Sequence, residues 1–154
     1  MNRYSGYSLA PQAVPIPFHK LLKVVAVVDP GSSPTKELLA QIAAEGYEVE
    51  VASTHERDLG EDASVGAYIV LTDGEHLEPA KALVRGVRGV GFRTPLWALA
   101  DAHRIADMAV LAMVGEVDGF IYLGQQTPEF YAKQVIASLV DYGLSLGLDQ
   151  GGLI

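Results

Sequence analysis

Short, almost continuous apolar runs alternate along the chain with segments whose apolar residues recur at helical spacing, and this alternation limits the possible folds. The first run, residues 21–28, is rich in β-branched residues, as expected of a strand that is buried on both faces. The next segment carries Leu38, Leu39 and Ile42 at helical spacing, which predicts a helix. Four further apolar runs predict strands at residues 47–51, 67–71, 95–99 and 119–123.

Helix signals flank the segments between these runs. Ser33 and Thr127 are each followed by proline, so that a capping hydroxyl precedes a residue that needs no N–H. Gly46 suits the left-handed position that often ends a helix. Helices are therefore predicted at residues 34–45, 77–90, 101–114 and 128–146, with at most a short one within 53–66.

Strict alternation of strands and helices predicts a parallel sheet with right-handed crossovers and helices on both faces. The α/β pattern fits a single flavodoxin-like, or receiver-like, domain whose five-stranded parallel sheet has the order 2-1-3-4-5. This domain is predicted to span residues 21–146. Residues 1–20, which are rich in proline, are expected to form an extended N-terminal arm, and the glycine-rich residues 147–154 a flexible tail.

Composition argues against several functional classes. The 154 residues include no cysteine, which excludes disulfides and thiolate metal sites, and the formal net charge of −8 disfavours nucleic-acid binding, which needs a basic face. The apolar runs are too short to span a bilayer, and prolines interrupt the region where a signal peptide would need an apolar segment. We therefore expect a cytoplasmic protein that binds neither nucleic acid nor membranes.

Ligands of such a sheet bind at the edge where the carboxyl ends of its strands meet. Asp29 and Asp73 would end neighbouring strands there, which resembles the acidic site of a response-regulator receiver domain. A receiver also needs an acidic pair for Mg²⁺, a hydroxyl after the fourth strand and a lysine after the fifth, because these groups handle a transferring phosphoryl group. Pro30, residues 100–101 (Ala-Asp) and residues 124–125 (Gly-Gln) occupy these positions instead. We therefore interpret the two aspartates as turn and capping residues.

Other candidate sites at this edge are no stronger. The hydroxyl-rich turn after the first strand lies at a helix N-terminus, but Pro30 and Pro34 remove two of the N–H groups that would bind a phosphate. His103, near Asp101 and Asp107, is typical of a helix start with acidic residues near its positive end. The sequence contains neither a GxGxxG nor a Walker motif. We predict no catalytic, cofactor-binding or metal-binding residue in this chain.

The chain resembles a known family over roughly residues 22–146, and the specific motifs lie in about the last sixty residues. Residues 94–100 (TPLWALA), 117–123 (VDGFIYL) and 126–130 (QTPEF) resemble the N-terminal wing domain of bacterial Orn/Lys/Arg decarboxylases. The resemblance implies a flavodoxin- or receiver-like fold without catalytic groups. It also implies that pyridoxal phosphate and its lysine belong to a later, larger domain, and that the wing packs between subunits and helps dimers to form larger rings.

The sequence departs from the family pattern after Tyr142, where the family has a proline-rich linker to the cofactor domain. We expect no decarboxylation by this chain alone, and pyridoxal phosphate only in the family's catalytic domain. The chain would be either an excised wing or a free-standing relative. Its predicted function is a non-catalytic oligomerisation domain, with further copies (a dimer or larger) or the decarboxylase catalytic domain as partners. The alternatives are a degenerate receiver that acts as a signalling or scaffold module without phosphotransfer, and an enzyme or small-ligand binder that uses the carboxyl edge.

The apolar surface of the last predicted helix is wider than the stripe that packing against one sheet requires. One apolar stripe consists of Phe130, Tyr131, Val135 and Leu139, and the residues that widen it are Ile136, Val140 and Tyr142. Large apolar side chains left exposed in this number indicate a contact surface. The predicted interface residues are Phe130, Ile136, Val140 and Tyr142. The alternative is that the N-terminal arm or the C-terminal tail covers them.

Overall fold

A five-stranded parallel sheet lies at the centre of the protein. The computed structural model describes residues 18–28, 33–52, 63–72, 77–89, 93–101 and 116–151. The strands in these ranges are β1 (Lys23–Val27), β2 (Val49–Ala52), β3 (Val65–Leu71), β4 (Leu96–Asp101) and β5 (Gly119–Leu123). The helices in these ranges are a 3₁₀ helix (Phe18–Leu21), α1 (Ser33–Ala44), α2 (Leu77–Gly89) and α3 (Pro128–Gly151). The sheet order is β2-β1-β3-β4-β5 with every pair parallel, which confirms the predicted topology.

The element boundaries follow the sequence prediction closely, with three corrections. The last helix does not end at Leu146 but continues to Gly151, so the first residues of the expected flexible tail are helical. Residues 18–20, which were assigned to an extended arm, belong to the 3₁₀ helix. Asp101, the first residue of the helix predicted at 101–114, is the last residue of β4. The rest of that predicted helix and residues 1–17 lie outside the described residues, and the proposed division into arm, domain and tail stays a prediction.

Both faces of the inner strands β1, β3 and β4 are buried, which explains why these strands are almost continuous apolar runs. Alternate residues of β1 point to opposite faces: Val24 and Ala26 join the core beneath α1 and α3, whereas Val25 and Val27 join the core beneath α2. All seven residues of β3 are buried, as expected of the central strand. The α1–α3 side also holds the 3₁₀ helix, which packs on α3.

A glycine in β5 makes room for the single tryptophan of the chain. Gly119 pairs with Trp97 in the parallel register, and the indole ring lies over it. A Cβ atom added to Gly119 would lie 2.4 Å from the Cζ3 atom of Trp97. The indole Nε1 donates a hydrogen bond of 3.0 Å to the Ser138 hydroxyl, which in turn donates one of 2.7 Å to the carbonyl of Val135. These bonds connect the sheet to α3.

A polar network holds the amino ends of β4 and β5 to the end of α2. The Arg88 guanidinium donates to the carbonyl of Thr94 over 2.8 Å and to the Asp118 carboxylate over 2.9 Å. The same carboxylate oxygen accepts a 2.8 Å bond from the backbone N–H of Leu96. The hydroxyl of Thr94 donates to that of Tyr142 over 3.2 Å. Because this network lies at the amino ends of the strands, it is at the edge opposite the one where ligands of such sheets bind.

The 3₁₀ helix is attached to the segment that follows α1. The Lys20 ammonium donates a 2.7 Å hydrogen bond to the carbonyl of Glu45 and lies 4.0 Å from the centre of the Tyr47 ring. The Nδ1 atom of His19 lies 2.9 Å from the Tyr47 hydroxyl. Burial, followed by the negative charge of Glu45, raises the pKa of Tyr47 above its ordinary value of 10.0.

Candidate interaction surface

At the described part of the carboxyl edge, the polar groups of Thr72 form hydrogen bonds within the sheet. Thr72, directly after β3, is buried, and both its backbone N–H and its hydroxyl donate to the carbonyl of Leu99, over 3.0 and 3.1 Å. Asp29, Asp73 and His103 lie outside the described residues, as does the side chain of Asp101. No group of three or more metal-ligating side chains occurs among the residues that are described. The interpretation of the two aspartates as turn and capping residues therefore stays a prediction.

The turn after β5 sets the start of α3. Gly124 has a φ of 90°, a left-handed conformation that favours glycine, and the N–H of Gln125 donates to the carbonyl of Tyr122 over 3.1 Å. The hydroxyl of Thr127 accepts a 3.1 Å hydrogen bond from the N–H of Phe130, which confirms the predicted cap. With Pro128 as the first residue of the helix, these contacts determine where α3 begins.

The buried side of α3 differs from the predicted stripe at one residue. Tyr131, Val135 and Leu139 are buried as expected, together with Ala132. Phe130, however, is 44% exposed and meets the edge of the Tyr131 ring at a centroid distance of 5.5 Å. At about 100° per residue, Phe130 lies about 140° from Val135 and about 180° from Leu139, so it points away from the side of α3 that faces the core. Placing Phe130 in the covering stripe is therefore wrong.

The four predicted interface residues do not share one side of α3. Ile136 and Tyr142 are half-buried and pack against the core of the chain itself, and Tyr142 also belongs to the polar network with Thr94. At about 100° per residue they lie on the two flanks of the buried stripe, each about 120° from Phe130. Val140 is half-buried and closer to the outward side. The four residues therefore do not form one continuous patch, and their role as an interface stays a prediction.

The outward side of α3 contains an apolar residue that the sequence analysis missed. Leu144 is 54% exposed, the largest exposed fraction among the large apolar side chains that are described in this helix. It follows Phe130 by fourteen residues, with the exposed Ala137 midway between them. Residues seven apart lie within about 20° of each other on a helix, so Phe130, Ala137 and Leu144 form one outward line. This seven-residue spacing is visible in the sequence and could have revealed the surface.

None of the helices in the described ranges combines the length and the hydropathy that crossing a bilayer requires. The large apolar side chains that are exposed among the described residues are Leu21, Val51, Phe120, Phe130 and Leu144, of which the last two lie on α3.

Comparison with known families supports the resemblance predicted from the sequence motifs. Residues 31–142 match the family model of the Orn/Lys/Arg decarboxylase N-terminal domain. The chain belongs to this family. The match begins after β1, includes β2 to β5 and ends within α3 at Tyr142. The matched residues therefore include the two exposed positions Phe130 and Ala137 but not Leu144.

Solved structures resemble the decarboxylase N-terminal domain in fold. A response-regulator receiver domain protein from Clostridium thermocellum is 19% identical with a TM-score of 0.63, and the alignment covers 81% of this chain and 99% of that one. A CheY-like receiver domain protein from Methanospirillum hungatei JF-1 is 18% identical with a TM-score of 0.60, over 80% and 98% of the two chains. A CheY-like protein (tadZ) from Pseudomonas aeruginosa PAO1 is 18% identical with a TM-score of 0.61, over 77% and 98%. At these identities the likeness establishes the receiver-like fold alone. No curated protein matches the chain.

Proposed function

We propose that this decarboxylase N-terminal domain is a non-catalytic assembly module that brings copies of its chain, or a decarboxylase catalytic domain, together. The observation that carries the proposal is the exposed apolar line on α3. Fully burying a side chain such as that of Phe130 or Leu144 contributes about 1.5–3 kcal/mol. An isolated molecule that leaves both side chains exposed lacks this stabilisation. A partner that covered them would supply it.

The family supports an assembly role without requiring a catalytic site in this chain. The matched model describes an N-terminal domain of decarboxylases, and Thr72 at the carboxyl edge uses its hydroxyl to connect neighbouring strands. The polar network around Arg88 and Asp118 likewise connects α2 to the sheet. These polar groups stabilise the fold by connecting its elements, and the proposed function assigns them no catalytic role.

The test is the mass of the protein in solution, measured by light scattering over a wide range of protein concentration. The assembly role predicts a mass that rises above the 16.4 kDa of one chain as the concentration increases, or a stable complex with an Orn/Lys/Arg decarboxylase catalytic domain. A constant mass of one chain, with no binding to that catalytic domain, would refute the proposal.

A second measurement tests the non-catalytic part. The protein is incubated with pyridoxal phosphate and lysine, ornithine or arginine, and released CO₂ is measured. We expect none above the level of pyridoxal phosphate alone. Decarboxylation above that level by this chain would contradict the proposal.

A further inference from the structure

We propose that two copies of this chain pair through the outward sides of their α3 helices, antiparallel and around a two-fold axis at Ala137. This inference rests on the proposed assembly function and names both the partner, which is a second copy, and the surface. Five of the exposed residues of α3 lie within about 40° of Ala137 around the helix axis: Phe130, Lys133, Ala137 itself, Asp141 and Leu144.

The spacing of these five residues reads the same in both directions along the helix. The steps are three, four, four and three residues, centred on Ala137. Steps of three and four keep residues on one side of a helix, as in the seam of a coiled coil. A two-fold axis through Ala137 therefore places the surface on a copy of itself, as a symmetric dimer requires.

The pairing matches side chains that suit each other. Residues at equal distances on either side of Ala137 come together across an antiparallel pair, so Phe130 would face Leu144 of the second copy. Lys133 would face Asp141 of the second copy, and symmetry repeats both contacts. Apolar residues thus meet apolar ones at the ends of the seam, and opposite charges meet between the ends and the centre.

The charges support a second copy as the occupant. Lys133 and Asp141 are both exposed, and neither forms an ion pair with another described residue. They lie eight residues apart on the same helix, about 12 Å along its axis, so they cannot pair within one chain. In the antiparallel dimer each finds an opposite charge at the same height, which also favours this register over a shifted one.

The residue at the centre has the size that close packing needs. Helix axes approach to about 8–10 Å where small side chains meet, and Ala137 would meet itself on the axis. A seam of about two heptads buries less area than a standard protein interface, so we expect a weak dimer that forms at high protein concentration.

Charge exchange tests the pairing directly. In K133D the new aspartate of each chain would face Asp141 of the second copy. In D141K the new lysine of each chain would face Lys133 of the second copy. Each single variant should raise the dimer dissociation constant roughly tenfold or more. An equimolar mixture of the two variants, and the double variant K133D/D141K, should regain the dissociation constant of the original protein, because opposite charges then face each other again. K36D is the matched control, since Lys36 is exposed on α1 and undergoes the same change of charge.

Cross-linking tests the position of the axis. The chain contains no cysteine, so A137C introduces the only thiol. A disulfide requires Cα atoms within about 7 Å, so treatment with copper phenanthroline and oxygen should join two A137C chains rapidly. A82C, at an exposed position of α2, is the control and should cross-link at least tenfold more slowly.

The outcomes separate this inference from the proposed function. If the protein self-associates but K133D and D141K dimerise like K36D, or A137C cross-links no faster than A82C, the α3 pairing is wrong while the assembly role stands. If the original protein remains a single chain at every concentration and binds no catalytic domain, both fail. If L144E leaves the dissociation constant unchanged while its circular dichroism stays native, the apolar part of the seam is refuted.

Discussion

Replacing Gly119 by alanine should destabilise the fold, because the new methyl group would occupy space that the indole ring of Trp97 fills. The added Cβ would lie 2.4 Å from Cζ3 and 2.8 Å from both Cε3 and Cη2 of the ring. Carbon atoms in contact are normally about 3.5–4.0 Å apart, so the ring must move by about 1 Å or more. A movement of this size stretches the 3.0 Å hydrogen bond from the indole to Ser138.

The magnitude follows from three contributions. Overpacking of a well-packed core costs about 1–3 kcal/mol, and loss of the hydrogen bond about 0.5–1.5 kcal/mol. Alanine offsets about 0.5–1 kcal/mol of this, since it loses less backbone entropy than glycine in a strand. The free energy of unfolding of G119A should therefore fall by about 0.5–4 kcal/mol.

Urea unfolding, followed by the fluorescence of Trp97, measures this change at the ring itself, because the chain contains one tryptophan. G86A is the control: no atom lies within 4 Å of its new methyl group, and it should be more stable by up to about 1 kcal/mol. W97L removes the ring, so adding G119A to W97L should cost much less than in the original protein; because this background lacks tryptophan, its urea unfolding is followed by circular dichroism. An equal cost in both backgrounds, or a G119A protein as stable as the original, would refute the steric argument.

Two further predictions concern the 3₁₀ helix. In G143A the new methyl group would lie 2.6 Å from Cβ and 2.9 Å from Cα of His19, so the 3₁₀ helix must shift. In G147A the nearest atom, Cβ of Phe18, is 3.9 Å from the new methyl group, which leaves room for it. Thermal unfolding should show that G147A is more stable than the original protein by up to about 1 kcal/mol, and that G143A is less stable than G147A by about 1–3 kcal/mol. Equal stabilities of the two variants would contradict the contact with His19. The pKa of Tyr47 is raised in the folded protein, so above pH 10 the folded state keeps a proton that the unfolded chain has released. The free energy of unfolding should therefore fall as the pH rises above 10. Urea titrations across this range should show a steeper fall for the original protein than for Y47F, and identical slopes would exclude Tyr47 as the cause.

The sequence alone determined the architecture because the pattern of each segment is local. The β-branched run of β1, the cap at Thr127 and the glycine at position 46 are readable over a few residues. The bounds of β5 were predicted correctly, and Gly46 has the expected left-handed conformation, with a φ of 93°. Strict alternation of the elements then left few topologies, since parallel strands require right-handed crossovers.

The candidate site was predicted only in part. Helical spacing showed that α3 has more apolar residues than one buried stripe needs, and it included Phe130 and Val140 near the outward side. It did not show that Ile136 and Tyr142 pack against the core of the chain, or that Leu144 is exposed. Periodicity states which residues of a helix share a side, but it does not state how the helix is rotated on the sheet.

Only the tertiary structure decided these matters, because they depend on contacts between residues far apart in the chain. The rotation of α3 depends on Trp97 bonding to Ser138 and on Thr94 bonding to Tyr142. The glycine opposite Trp97 in β5 reads in the sequence as a weakness of the strand, yet in the sheet it is the space that the indole ring fills. Such pairings exist only after the strands have taken their register, since no segment contains both partners.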